Sequence, residues 1–398
     1  MITMQFKKRL FFGICLTLAT VCVACQSKVT APTKTTKPIN TAEKPIKKDA
    51  KTLAAEKEAA VSKKITKMVG KMTLEEKVGQ LFLVRVPETH QIEDITKFHL
   101  GGYVLFSRDM DGETRESLKQ KIASYQAKSK VPLLIASDEE GGTVSRLSRG
   151  NDLVNTAFPS PQELYRSGGW QAIKDDIINK AEIFKYYGIQ TGLAPVADVS
   201  TDSASFIYDR TIGLPREGTV EYVERSVKEM HKQNIGSTLK HFPGYGNNRD
   251  SHVEIVRDTR PLKELEKNDF LPFIAGIKAG ADSVLVSHNI INAIDKEQPA
   301  SISKPVHDLL RQQLGFKGVI MTDDMDMAGL ADFTSQTEAG FKAIEAGNDL
   351  VLSSSYAQQI PFILAKVKAG ELSEATIETA AARVLKWKYD LGLVTLND

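Results

Sequence analysis

The chain has 398 residues, 41% of them hydrophobic and 26% charged, the composition of an ordinary globular protein with enough apolar side chain to bury a core. A formal net charge of +2 excludes the strongly basic balance of a nucleic-acid binder, and the excess of positive charge in the first 70 residues leaves the remainder near neutral or acidic. All three cysteines, Cys15, Cys22 and Cys25, lie near the amino terminus, so beyond residue 25 neither a disulfide nor a thiolate metal site can form.

In chain order, the first predicted element is Lys7-Lys8-Arg9 followed by the apolar run Leu10 to Ala24. This is the charged and then apolar pattern of a secretory signal, too short for a comfortable membrane span, so residues 1–24 read as a signal peptide. The run ends in Val23-Ala24-Cys25-Gln26-Ser27, which resembles a bacterial lipobox, although Cys22 stands where leucine is usual. Lipidation of Cys25 would hold the protein at the outer face of a bacterial membrane. The other reading of Cys25 is an incidental thiol in a discarded leader. Residues 25–60 are rich in Lys, Thr, Pro and Ala and nearly free of large apolar side chains, so they cannot offset their ordering entropy and read as a disordered tether. That leaves residues 61–398 as one folded domain.

From residue 75 onward, short apolar runs alternate with longer amphipathic stretches. Eight strands are predicted: Leu81 to Val86, Gly102 to Phe106, Leu133 to Ser137, Gln190 to Ala194, Ser237 to Lys240, Ser283 to Ser287, Val319 to Thr322 and Leu350 to Ser353. Helical periodicity covers Glu113 to Lys128, Gln171 to Tyr187, Thr219 to Gln233, Leu262 to Ala279, Lys304 to Leu314 and Ser335 to Ala346. Eight such units predict an α/β fold, a (β/α)8 barrel of the TIM type preceded by the tether. Functional groups of such a barrel gather at the carboxyl ends of its strands. Asp138, Lys240, His241, His288 and Asp323 all fall there, though His288 reads equally well as a packed strand-end histidine.

Two segments carry chemistry. Residues 240 to 252 place Asp250 and His252 two positions apart in a loop punctuated by Gly244 and Gly246. Asp250 can accept a hydrogen bond from one ring nitrogen of His252 while the other faces a substrate, which makes a proton shuttle, although an isolated Asp-x-His is as readily a polar pair on a surface turn. Gly318 to Asp324 reads as a buried strand that delivers Asp323, with Asp324 an equally available carboxylate and helix capping the bland alternative. Glu139, Glu140, Asp324 and Asp326 lack recognisable metal-ligand spacing, and the glycine pairs lack a phosphate-loop pattern, so no metal and no nucleotide are expected.

Taken together, Asp138-Glu-Glu-Gly-Gly142 with Arg146, Asp209-Arg210, Lys240 to Gly246, Asp250-Ser-His252 and Thr322-Asp323 resemble glycoside hydrolase family 3. The resemblance is to its β-N-acetylglucosaminidase branch, whose signature is Lys-His-Phe-Pro-Gly-x-Gly followed by Asp-Ser-His, and it covers roughly residues 70 to 395. It implies a barrel and retaining exo-hydrolysis of terminal N-acetylglucosamine, with Asp323 as nucleophile and His252 as acid/base assisted by Asp250. It further implies that Asp138, Arg146, Arg210, Lys240 and His241 bind the sugar, that no cofactor takes part, and that a monomer acts on cell-wall muropeptides. Some members carry a second α/β domain; here the chain runs only through Ala357 to Leu391 after the barrel, so none is expected. Members commonly have Gln at Glu139, Arg at Thr143, His at Tyr245 and Asp-Thr at Asn247-Asn248, and none of these departures replaces a group assigned to the chemistry. Two rivals stay open at this point, a β-glucosidase of the same family and an inert sugar-binding lipoprotein.

Overall fold

A computed structural model describes residues 49–148, 152–251, 253–330 and 332–396. The signal peptide, Cys25, most of the tether and His252 lie outside the described residues.

Seven of the eight predicted strands form. Phe82–Arg85 pairs in parallel with Val351–Ser353 on one side and Gly102–Leu105 on the other, and the latter pairs with Leu134–Ser137. Thr238–Phe242, Ser283–Val286 and Val319–Thr322 make a second parallel run. Single parallel bridges close the gaps between the two runs: Ala136 to Thr191, Thr191 to Gly236, Val196 to Lys240, and Met321 to Leu350. The ring is therefore complete and exposes no edge.

The fourth stave, predicted over Gln190 to Ala194, is held only by those bridges. Pro195 has no N–H to give to a ladder, and Leu193 has a positive φ of 45°, which takes it out of the extended region. Inside the ring Leu83, Val104, Leu134, Leu285, Met321 and Leu352 pack together, and Val384 and Trp387 from the helix Glu374–Asp390 join them. That helix plugs the amino end of the barrel, leaving the carboxyl end for chemistry.

Helices cover the outside. Arg115–Lys128 and Arg216–Gln233 follow the predicted bounds closely, and Thr114 caps the former by accepting from the N–H of Ser117. The helix predicted over Gln171 to Tyr187 forms as the second half of Pro161–Tyr187, after an interruption at Gly168 and Gly169, whereas Leu262 to Ala279 divides at Asn268 and Asp269.

A further helix, Ala50–Val69, occupies ground that the sequence reading gave to the tether up to residue 60. Val61, Ile65 and Val69, four residues apart, are buried on one face, and Lys386 of Glu374–Asp390 pairs with Glu58 at 3.3 Å. The sequence misleads because Ala, Glu and Lys are the residues that both linkers and helices favour, and the three apolar anchors begin only where the tether was thought to end.

Candidate active site

Each group predicted at a strand end is found there. Asp138 follows Leu134–Ser137, Lys240 and His241 lie in the last part of Thr238–Phe242, and Asp323 follows Val319–Thr322. After Asp138 the chain forms a short strand, Glu139–Gly141, paired with Val144–Ser145. Alternation in this extended stretch sends Asp138 and Glu140 to one face and Glu139 to the other. Glu139 turns inward, where it accepts from Ser137 Oγ at 2.7 Å, Ser145 Oγ at 2.5 Å and the N–H of Leu147 at 2.9 Å. Burial pushes its carboxyl pKa up against these hydrogen bonds. Glu139 thus supports the turn that carries Arg146.

Asp138 and Glu140 belong to an alternating chain of charges. Lys240 Nζ, almost fully buried, lies 3.0 Å from Asp138 Oδ1 and 2.6 Å from Glu140 Oε1. Arg146 Nη2 donates to the second Asp138 oxygen at 3.0 Å. Arg210 meets Glu140 as a fork, Nε to Oε2 at 2.9 Å and Nη2 to Oε1 at 2.7 Å. Burial alone would raise both carboxyls; the cations outweigh it and hold each below its ordinary range, Lys240 then Arg146 for Asp138, and Arg210 then Lys240 for Glu140.

The chain continues into His241. Arg210 Nη2 lies 2.9 Å from His241 Nε2, and His241 Nδ1 lies 2.8 Å from Asp198 Oδ2. A guanidinium has only donors, so Nε2 must accept and Nδ1 must carry the proton given to Asp198: the imidazole is neutral in a single tautomer. Asp198 is completed by the N–H groups of His241 at 3.0 Å and Tyr245 at 2.7 Å. Asp138, Arg146, Arg210, Lys240 and His241, five residues that the sequence scattered over more than a hundred positions, are thus brought into one network. Asp198 and Glu140 were not singled out from the sequence as members of this network. The spacing of Glu140 two residues beyond Asp138 on a strand was the available signal for the second; Asp198 left none.

Asp323 is largely buried, and one of its oxygens accepts the N–H of Asp324 at 2.9 Å. Asp324 is engaged elsewhere: Arg85 Nε donates to it at 2.5 Å, and burial, opposed by Arg85, pushes its carboxyl up to about 7. His288 is the packed histidine of the two readings. It is buried, donates Nε2–H to the Asp324 carbonyl at 2.8 Å and accepts at Nδ1 from Ser301 at 2.7 Å, and so fixes the backbone beside Asp323.

The loop after His241 is braced from below. Gly244 and Gly246 have φ of 119° and 54°, and a Cβ at either would strike Asp269 or Arg260. Arg260 itself pairs with Asp258 at 2.7 Å and Asp269 at 2.9 Å and donates to the Gly244 carbonyl at 3.2 Å. Asp250, half buried, lies further along this loop, next to fully buried Ser251.

The family domain described as glycosyl hydrolase family 3 N terminal domain matches residues 73–387. The chain is 31% identical over 301 residues to a β-hexosaminidase of Xanthomonas campestris pv. campestris, a match that covers 74% of this chain and 85% of the relative. Among solved structures it resembles a family 3 β-N-acetylglucosaminidase from Paenibacillus sp. str. FPU-7, with a TM-score of 0.76 and 28% identity; the match covers 82% of this chain and 65% of that one. It is also similar to a β-N-acetylhexosaminidase from Beutenbergia cavernae, with a TM-score of 0.70 and 29% identity over 80% of this chain and 99% of that one.

Proposed function

The chain belongs to glycosyl hydrolase family 3 and is a β-N-acetylhexosaminidase, and from that premise we propose that it removes terminal N-acetylglucosamine from the non-reducing ends of β-glycosides with retention of configuration. The observation that carries this reading is the charge network at the carboxyl end of the barrel. Asp138, Arg146 and Arg210 keep part of their surface open while Lys240 and Glu140 are buried behind them. Such a wall presents charge-assisted donors and an acceptor to sugar hydroxyls and an acetamido group, each contact worth roughly 1.5–3 kcal/mol.

In the first step Asp323 attacks the anomeric carbon and the glycosidic bond breaks, while His252 gives a proton to the departing oxygen. The product is a glycosyl ester on Asp323. In the second step neutral His252 takes a proton from water, whose oxygen displaces the ester and regenerates both groups. Asp250 orients the imidazole and favours its protonated form. His241, held between Arg210 and Asp198, belongs to the sugar-binding wall in this reading.

The natural substrates are cell-wall muropeptides, on which a monomer held by a lipid at Cys25 would act from the outer face of a bacterial membrane. The direct test is release of nitrophenol from its β-N-acetylglucosaminide by residues 50–398, the span that keeps the first helix whole. The wild type should cleave it in preference to the β-glucoside, Asp323→Asn should be nearly inactive, and His252→Ala should lose about 100-fold or more, the scale of general acid catalysis. A folded wild type that cleaves neither glycoside would overturn the reading.

A further inference from the structure

Tyr245 is fully buried in the loop that follows Thr238–Phe242, and its ring meets the rings of His241 at 5.2 Å and Phe206 at 5.5 Å. Its N–H donates to Asp198, the same carboxylate that fixes the His241 tautomer. Its hydroxyl lies 2.5 Å from Ser251 Oγ.

Ser251 is fully buried and is held from a second side. The N–H of Gly329 donates to its carbonyl oxygen at 3.2 Å, and a Cβ on Gly329 would come within 2.5 Å of that oxygen, so only glycine permits the approach. Gly329 lies in the turn Ala328–Leu330, beyond Asp323 on the same loop. One buried serine therefore ties together the sugar-binding network, the Asp250 turn and the loop behind Asp323. Burial, and after it the charge of Asp323, pushes the Tyr245 hydroxyl well above the ordinary tyrosine range, so the hydroxyl pair stays neutral at any working pH.

We propose that Tyr245 is a positioning residue for the proton-transfer step: through its hydroxyl and Ser251 it fixes the Asp250 turn against the strand that carries His241, while Gly329 fixes the same turn against the loop that follows Asp323. The inference rests on the reading of Asp250 and His252 as the proton-transfer pair. Ser251 directly follows Asp250 in the chain, so a shift of its backbone is passed to the turn that carries Asp250. Tyr245→Phe keeps the ring that packs on His241 and Phe206 and removes one oxygen atom.

The test uses the full-length protein and two aryl β-N-acetylglucosaminides, a dinitrophenyl glycoside whose leaving group departs without a proton and a phenyl glycoside whose leaving group needs one. For the phenyl glycoside, kcat/KM should fall roughly 10- to 100-fold in Tyr245→Phe and in Ser251→Ala, while for the dinitrophenyl glycoside it should change by less than about threefold. Because both variants break one hydrogen bond, the double variant should lose no more than the worse single one. Inhibition by free N-acetylglucosamine should be unchanged. Equal losses on both glycosides, weakened sugar inhibition, additive losses or wild-type behaviour of Tyr245→Phe would each overturn the proposal. If thermal unfolding shows that Tyr245→Phe does not fold, Ser251→Ala alone decides. Asp323→Asn separates the two levels: a wild type that cleaves neither glycoside, or an active Asp323→Asn, defeats the functional reading, whereas an active wild type with a dead Asp323→Asn and no leaving-group effect defeats only the role of Tyr245.

Discussion

At the scale of single residues, the site separates groups that hold the wall from groups that face outward. Glu140 is the hinge of the wall, since among the described residues it is the carboxylate that pairs with both Arg210 and Lys240. Glu140→Ala leaves two buried cations with fewer partners, and the expected cost is about 3–5 kcal/mol in urea unfolding, together with loss of activity. Arg146 lies at the rim with 20% of its side chain exposed, so Arg146→Ala should raise KM while costing about 1 kcal/mol or less of stability in the same experiment. Asp324 makes a pH prediction. Its folded pKa of about 7 stands above the ordinary 3.8, so between those values the folded state holds a proton that the unfolded chain has lost, and stability from this group falls as pH rises from about 4 to 7. Asp324→Asn should remove that fall, by up to about 1.4 kcal/mol for each pH unit, when unfolding midpoints at pH 5 and 7 are compared.

At the scale of elements, the helix Glu374–Asp390 both plugs the barrel and buries a lysine. Lys388 is fully buried, its Nζ donates to Gln80 Oε1 at 2.7 Å, and burial lowers its pKa to about 7 from 10.5. The unfolded chain therefore binds a proton between pH 7 and 10 that the folded chain does not, so stability from this group rises over that interval. Lys388→Met should abolish the rise, measured as the difference in unfolding free energy between pH 7 and pH 9.5. The first helix, Ala50–Val69, is held to this element by Ile65 and its neighbours. Ile65→Ala should cost about 2–4 kcal/mol, a size that only a packed helix and not a tether can produce.

At the scale of the whole molecule, the closed ring makes local damage felt throughout, because every stave is paired on both sides. A protein begun at residue 61, the boundary read from composition, cuts Ala50–Val69 in half and removes Glu58 from Lys386. It should unfold at a lower temperature than one begun at residue 50, and differential scanning calorimetry on the two proteins checks this. The carboxyl end of the barrel should be little affected, so kcat at a temperature where both are folded should agree within about twofold, as expected for distant, independent changes.

The sequence by itself determined the order of the barrel strands and the places where they deliver Asp138, Lys240, His241 and Asp323, because short apolar runs and the loops between them are local properties of the chain. It also carried the motifs that lead to the family. The fourth stave was legible as an apolar run but not as an irregular one, since the effects of Pro195 and Leu193 on pairing depend on what their neighbours offer. Only the tertiary structure decided that Glu139 turns away from the site while Glu140 binds two cations, that Asp198 sets the tautomer of His241, that His288 is a packed group, and that Tyr245 reaches Ser251. Each of these depends on atoms from distant segments meeting within about 3 Å, the reach of a hydrogen bond, and no spacing along one chain encodes that meeting until the ring has closed.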